Sequence, residues 1–152
     1  MTDVLILGGT GWLGSRIAER WLDAGASVTC LARGGRDAPY GARLVVADRD
    51  VEGAYDAVRG RDWDEIVDVS SRAAHVAGAA TALSEWARHI TFVSSVSAYA
   101  ADDEPDADES APLAEPAAAL AAQTGITDVH AELRPEDKSA IIRRLREDRP
   151  TA

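Results

Sequence analysis

Val4-Leu5-Ile6-Leu7-Gly8-Gly9-Thr10-Gly11-Trp12-Leu13-Gly14 is the stretch whose reading decides the fold. Val4 to Leu7 form a short, continuously apolar run, the pattern of a strand covered on both faces. The glycines from Gly8 to Gly14 interrupt it. Beyond them Leu13, Ile17 and Trp21 recur every four residues, with Ala18 and Leu22 beside them, which is one face of a helix. The stretch therefore reads as strand, tight turn and helix, with a G-x-x-G-x-x-G spacing at Gly8, Gly11 and Gly14. Glycine adopts backbone angles closed to other residues, and its missing side chain lets an anionic diphosphate approach the main chain. Unpaired N–H groups and the positive end of the following helix then stabilise the anion. A glycine turn lying between a strand and a helix points to a dinucleotide, while Trp12 and Leu13 can equally pack against the sheet.

The alternation continues outward from this turn. Gly25 closes the first helix, and Ser27 to Leu31 read as a second strand. Leu44 to Ala47 form a third, ending at Asp48. Val51, Ala54, Tyr55 and Val58 predict a short helix. Ile66 to Val69 form a fourth strand, and Val76, Ala79, Ala80, Leu83 and Ala87 mark the buried side of a longer helix. Ile90 to Val93 form a fifth strand leading into Ser94-Ser95. Trp21 and Trp86 are read as packing between helix and sheet. Strands separated by helical crossovers build a parallel sheet with helices on both faces, so the fold class is α/β.

The end of the second strand bears on which dinucleotide fits. An acid about 20 residues beyond the glycine turn normally hydrogen-bonds the adenosine ribose. Here the chain runs Leu31-Ala32-Arg33-Gly34-Gly35-Arg36, with no acid until Asp37. A carboxylate would repel a 2′-phosphate, whereas Arg33 can form charge-assisted bonds to it and Arg36 offers a second donor. NADP is favoured, with NAD as the alternative.

Composition limits the other function classes. The chain has 152 residues and a formal charge of -10, which disfavours nucleic acid or an anionic membrane as a partner. One Cys excludes a disulfide framework, the three His are scattered, and no metal site is expected. No apolar run approaches the ~20 residues of a membrane span, so a cytoplasmic protein is expected. Residues 101–116 carry seven acids and three prolines with no basic residue, which reads as a solvated loop. Residues 1–112 are expected to form the nucleotide-binding domain. Residues 113–152 are expected to be an atypical Ala-rich and charged tail, helical by propensity over 117–122 and again from Pro135.

Three segments together resemble the extended short-chain dehydrogenase/reductase family, in particular its NAD(P)-dependent epimerase/dehydratase group. They are Gly8 to Gly14, Val67-Asp68-Val69-Ser70-Ser71, and Phe92-Val93-Ser94-Ser95-Val96-Ser97-Ala98-Tyr99. The resemblance covers residues 3–100 and implies a Rossmann-like sheet, with Gly8, Gly11 and Gly14 facing the pyrophosphate and the backbone of Thr10, Trp12 and Leu13 nearby. It also implies that Asp48 contacts the adenine amino group and that Ser70 and Ser71 lie beside the cofactor. Ser95 matches the family's catalytic serine, and Ser97 a second hydroxyl that contacts substrate.

In this family a Tyr-x-x-x-Lys pair moves the proton during hydride transfer, because tyrosine is a poor base until a nearby cation stabilises its anion. No tyrosine follows Tyr99, and Arg134 stands four residues before Lys138, the sole lysine. The resemblance further implies that the sheet is truncated after its fifth strand and that the substrate domain is missing. The expected function is NAD(P) binding, NADP favoured, without efficient autonomous catalysis. One alternative is an active reductase or nucleotide-sugar epimerase/dehydratase using an unusual acid, such as His130, or a partner-supplied one. Another is a non-catalytic interaction module or an unstable truncated product. Loss of further strands would leave an apolar edge, to be covered by a homo-oligomer or a partner chain.

Overall fold

The computed structural model describes residues 1–95, 99–101, 112–115 and 122. The chain divides into two compact units, 1–93 and 94–152.

The first unit is a five-stranded parallel sheet built from β1 (Asp3–Leu7), β2 (Ser27–Ala32), β3 (Arg43–Val46), β4 (Glu65–Asp68) and β5 (Ile90–Phe92). Helix α1 (Trp12–Asp23) joins β1 to β2, and α2 (Ala73–Leu83) precedes β5. The spatial order is β3-β2-β1-β4-β5. The chain thus winds outward from β1 to β3, then crosses to the other side of β1. That reversal opens a crevice at the carboxyl ends of β1 and β4, where open α/β sheets bind their ligands.

Side-chain alternation sorts the core into two layers. Leu5, Leu7, Leu31, Val45 and Ile66 cluster with Ala79 and Leu83 of α2, joined by Val58 and Trp63. Val4, Ile6, Val28 and Cys30 alternate to the other face and are also buried. Ile17, Ala18 and Trp21 are the buried stripe of α1, which packs on β1 and β2. Trp86 packs at the edge of the α2 layer. Gly25, at φ +80°, ends α1, and its N–H donates to the Leu22 carbonyl at 2.8 Å.

One expected element is absent. Residues 51–58 form successive turns, with Val51, Ala54 and Asp56 each donating to the carbonyl three residues back. Gly53 sits at φ +78°, a left-handed angle that interrupts any helix through this segment. Val58 and Ala54 still bury their side chains, so the apolar spacing marked contact with the core without specifying a helix.

In the second unit Tyr99 forms an antiparallel bridge with Leu113, and the Ala100 N–H donates to the Pro112 carbonyl at 2.8 Å. The helices expected over 117–122 and from Pro135 fall outside the described residues, apart from Ala122. No helix among the described residues is long and apolar enough to cross a membrane.

Candidate functional site

The glycine turn is built by three different constraints. Gly8 lies at φ +93°, and its N–H donates to the Leu31 carbonyl at 2.8 Å, tying the turn to β2. A Cβ on Gly9 would stand 2.4 Å from the Cys30 sulfur, so the chain can run over β2 there only without a side chain. A Cβ on Gly14 would stand 2.2 Å from the Gly8 carbonyl oxygen, so that glycine lets α1 begin directly against the turn. Gly11 is different. It is the N-cap of α1, with φ -76° and ψ 166°, angles open to any residue, and a Cβ there would meet only the Gly8 oxygen at 3.4 Å. Packing does not demand glycine at 11, and the position lines open space.

That space is a cleft of about 770 Å³ at the carboxyl ends of β1, β2, β3 and β4. Gly8, Thr10, Gly11, Arg33, Arg36, Asp48, Ser70 and Ser71 all line it. Among the other expected contacts, Gly14 is buried against the turn, Trp12 is exposed on the first turn of α1, and Leu13 is half-buried. Arg33 and Arg36 are exposed and, among the described residues, form no ion pair. Asp48 Oδ1 accepts the Asp50 N–H at 3.0 Å, closing the turn that follows β3. Ser95 is exposed and belongs to the second unit, and Ser97 lies outside the described residues.

Four further residues line the cleft that sequence reasoning passed over: Arg49, Asp50, Arg72 and His75. Arg49 holds Asp68 through two hydrogen bonds, Nη1 to Oδ1 at 2.9 Å and Nη2 to Oδ2 at 2.5 Å. Arg49 also donates to the Tyr55 hydroxyl and the His75 carbonyl. Burial alone would lower the Arg49 pKa, but the Asp68 hydrogen bonds and charge, then Tyr55, outweigh it and raise the pKa above the ordinary arginine value. Asp68 in turn accepts the Ser70 N–H at 2.9 Å, which fixes the start of the loop after β4.

Above this pair lies a second chain of contacts. Asp50 Oδ1 stands 2.9 Å from His75 Nε2, His75 Nδ1 stands 3.2 Å from Ser70 Oγ, and Ser70 Oγ accepts the Arg72 N–H. Arg72 Nη1 donates to the other Asp50 oxygen at 2.5 Å. The hydrogen bonds from His75, then Arg72, hold the Asp50 carboxyl below the usual carboxylate range. A signal for part of this was present, since an acid-base-acid triplet, Asp48-Arg49-Asp50, follows the third strand. Nothing local paired it with His75. His89 lies at the far end of β4, where Nδ1 meets the buried Glu65 at 2.8 Å. Among the described residues no three His, Cys, Asp or Glu side chains are grouped as metal ligands.

Residues 4–124 match the model of the NAD dependent epimerase/dehydratase family. Solved structures with the same fold include a UDP-glucose 4-epimerase from Bifidobacterium longum in complex with NAD+ and UDP. It is 15% identical, covers 98% of this chain and 50% of that one, and superposes with a TM-score of 0.65. The Bordetella bronchiseptica enzyme WbmG in complex with NAD is 19% identical, covering 85% and 51% of the two chains, with a TM-score of 0.65. A 36-residue stretch is 67% identical to a probable cation-transporting ATPase G of Mycobacterium tuberculosis, covering 24% of this chain and 5% of that protein. The chain therefore spans about half the length of the epimerase-like structures and 5% of the curated relative.

Proposed function

The chain belongs to the NAD dependent epimerase/dehydratase family, and from that premise we propose that its cleft binds a nicotinamide dinucleotide, with NADP favoured over NAD. The diphosphate rests on the Gly8–Gly11 turn at the start of α1, where main-chain N–H groups and the helix dipole favour negative charge. Arg33 and Arg36 receive the 2′-phosphate, and Asp48 lies on the adenine side. Ser70 and Ser71 border the cofactor from the loop after β4.

Supporting this most is the meeting of Gly11, which packing leaves free to be any residue, with two arginines lacking carboxylate partners among the described residues, in one cleft. An exposed guanidinium facing such a cleft matches a phosphate in shape and charge.

A bound nicotinamide supplies hydride transfer. This chain's own part is to hold and orient the dinucleotide, because it lacks the Tyr-x-x-x-Lys pair that moves the accompanying proton. Efficient turnover of nucleotide sugars by this chain alone is therefore not expected. Fluorescence titration with NADPH and NADH tests the proposal. Binding of both, NADPH the tighter, is the expected result. Folded protein that binds neither at millimolar concentration overturns it.

A further inference from the structure

Asp50 from the loop after β3, Ser70 from the loop after β4 and His75 from the first turn of α2 make one continuous hydrogen-bonded chain along the wall of the cleft. The direction of every proton in it follows from the donors available. The Asp50 carboxylate can only accept, so His75 Nε2 carries a hydrogen and donates to it. In the neutral ring Nδ1 is then a bare acceptor, and the Ser70 hydroxyl donates to it. Ser70 Oγ meanwhile accepts the Arg72 main-chain N–H at 3.2 Å. With neutral His75, Ser70 therefore has no proton to offer the cleft.

Protonating the ring reverses one bond. Nδ1 becomes a donor to Ser70 Oγ, and the hydroxyl hydrogen is released toward the cleft, where a phosphate oxygen can accept it. The main chain of His75 is held in place, and its ring is bonded at both nitrogens. The His75 main-chain carbonyl accepts from Arg49 Nη2 at 2.7 Å and from the Tyr55 hydroxyl at 3.2 Å, and the side chain is only 15% exposed. The charged and titratable groups facing His75 are Asp50 and Arg72 at the rim, with Tyr55 and the mutually neutralising Arg49 and Asp68 beneath.

We propose that Asp50 and His75 are positioning residues for Ser70, redirecting its hydroxyl hydrogen from His75 Nδ1 to the dinucleotide diphosphate when His75 gains a proton. The proposal rests on the dinucleotide reading given above. The Arg72 N–H already occupies one Oγ lone pair, so the chain suits orientation better than nucleophilic attack.

NADH is the probe, because its diphosphate keeps one charge across the histidine range. Its affinity is measured across a pH series from about 6 to about 8.5. Wild type should bind roughly fivefold more tightly at the acid end, the effect of one charge-assisted bond at a partly screened site. His75→Gln should be flat, and Ser70→Ala should keep less than about half of the response. Asp50→Asn should also weaken it, because an amide can donate as well as accept and no longer dictates which ring nitrogen holds the proton. Ser70→Thr retains the hydroxyl and should retain the response. Circular dichroism of each variant at both pH limits separates a lost response from a lost fold. A full response in His75→Gln or Ser70→Ala overturns the proposal, as does pH-independent binding by wild type. Wild type that binds NADH at no pH overturns the dinucleotide reading itself, and this one with it.

Discussion

Arg49 and Asp68 face each other through two parallel hydrogen bonds, with 8% and 2% of their side chains exposed. The pair joins the loop after β3 to the end of β4 and so sets the width of the cleft between them. Removing one member leaves a buried charge with too few partners, at a cost of about 3–5 kcal/mol. Arg49→Met should lower stability by that order in urea denaturation. The double variant Arg49→Met/Asp68→Asn should be less damaged than the sum of the two singles, because no charge is then stranded. Additive losses would show that the pair is not coupled.

Gly9 runs directly over Cys30. Gly9→Ala should destabilise by about 1–3 kcal/mol through overpacking. Cys30→Ala should rescue only part of this, because the new methyl would still lie 2.6 Å from the Cys30 Cβ. Burial pushes the Cys30 thiol up to about 11, so the native protein should resist alkylation at neutral pH until it unfolds. Both effects can be read from denaturation midpoints and iodoacetamide labelling.

Gly11→Val separates ligand approach from folding. Its φ of -76° is open to valine and its Cβ meets nothing closer than 3.4 Å, so stability should change by less than about 1 kcal/mol. Binding of NADPH and NADH should fall together by at least about tenfold, since the branched side chain fills the diphosphate approach. Unchanged affinity in a folded variant would remove the diphosphate from this turn.

Arg33→Ala should weaken NADPH by about fivefold, one exposed and partly screened charge-assisted bond, and change NADH much less. Arg36 can substitute in part, so Arg33→Ala/Arg36→Ala should show the larger drop in the NADPH-to-NADH affinity ratio. A ratio that stays constant at fixed ionic strength through all three variants would leave no basis for preferring NADP.

The Asp50 carboxyl is held below its ordinary range, by His75 and then by Arg72. A depressed native pKa stabilises above the unfolded value, ~3.9, and that contribution is lost as pH falls through the native value. Wild type should therefore be more stable than Asp50→Asn at pH ~6, with the gap closing progressively below pH ~4. Urea midpoints of the two proteins across this range measure the closure, and a gap that widens in acid would contradict it.

The first unit was largely legible along the chain because its information is periodic. Val4 to Leu7, Ser27 to Leu31 and Ile66 to Val69 announce buried strands by apolar runs, and Ile17 and Trp21 announce α1 by their spacing. The glycine turn was legible too, although sequence alone could not separate its duties. Only the packed structure shows that Gly9 and Gly14 make room for neighbouring atoms while Gly11 leaves space open. The segment 51–58 misled because apolar spacing reports burial, and Gly53 decides the backbone.

What tertiary structure alone decided is the polar wall of the cleft. Arg49 and Asp68 are 19 residues apart, and Asp50 and His75 are 25 apart, drawn from the loop after β3, the end of β4 and the first turn of α2. Polar residues at the ends of elements carry no periodic signature, and a hydrogen bond between them depends on where those ends meet in space. The sequence by itself determined the alternating strands and helices and the turn that opens them. The crossover from β3 past β1 to β4 brought Asp50 to His75 and Arg49 to Asp68, because it set the carboxyl ends of those strands around one crevice.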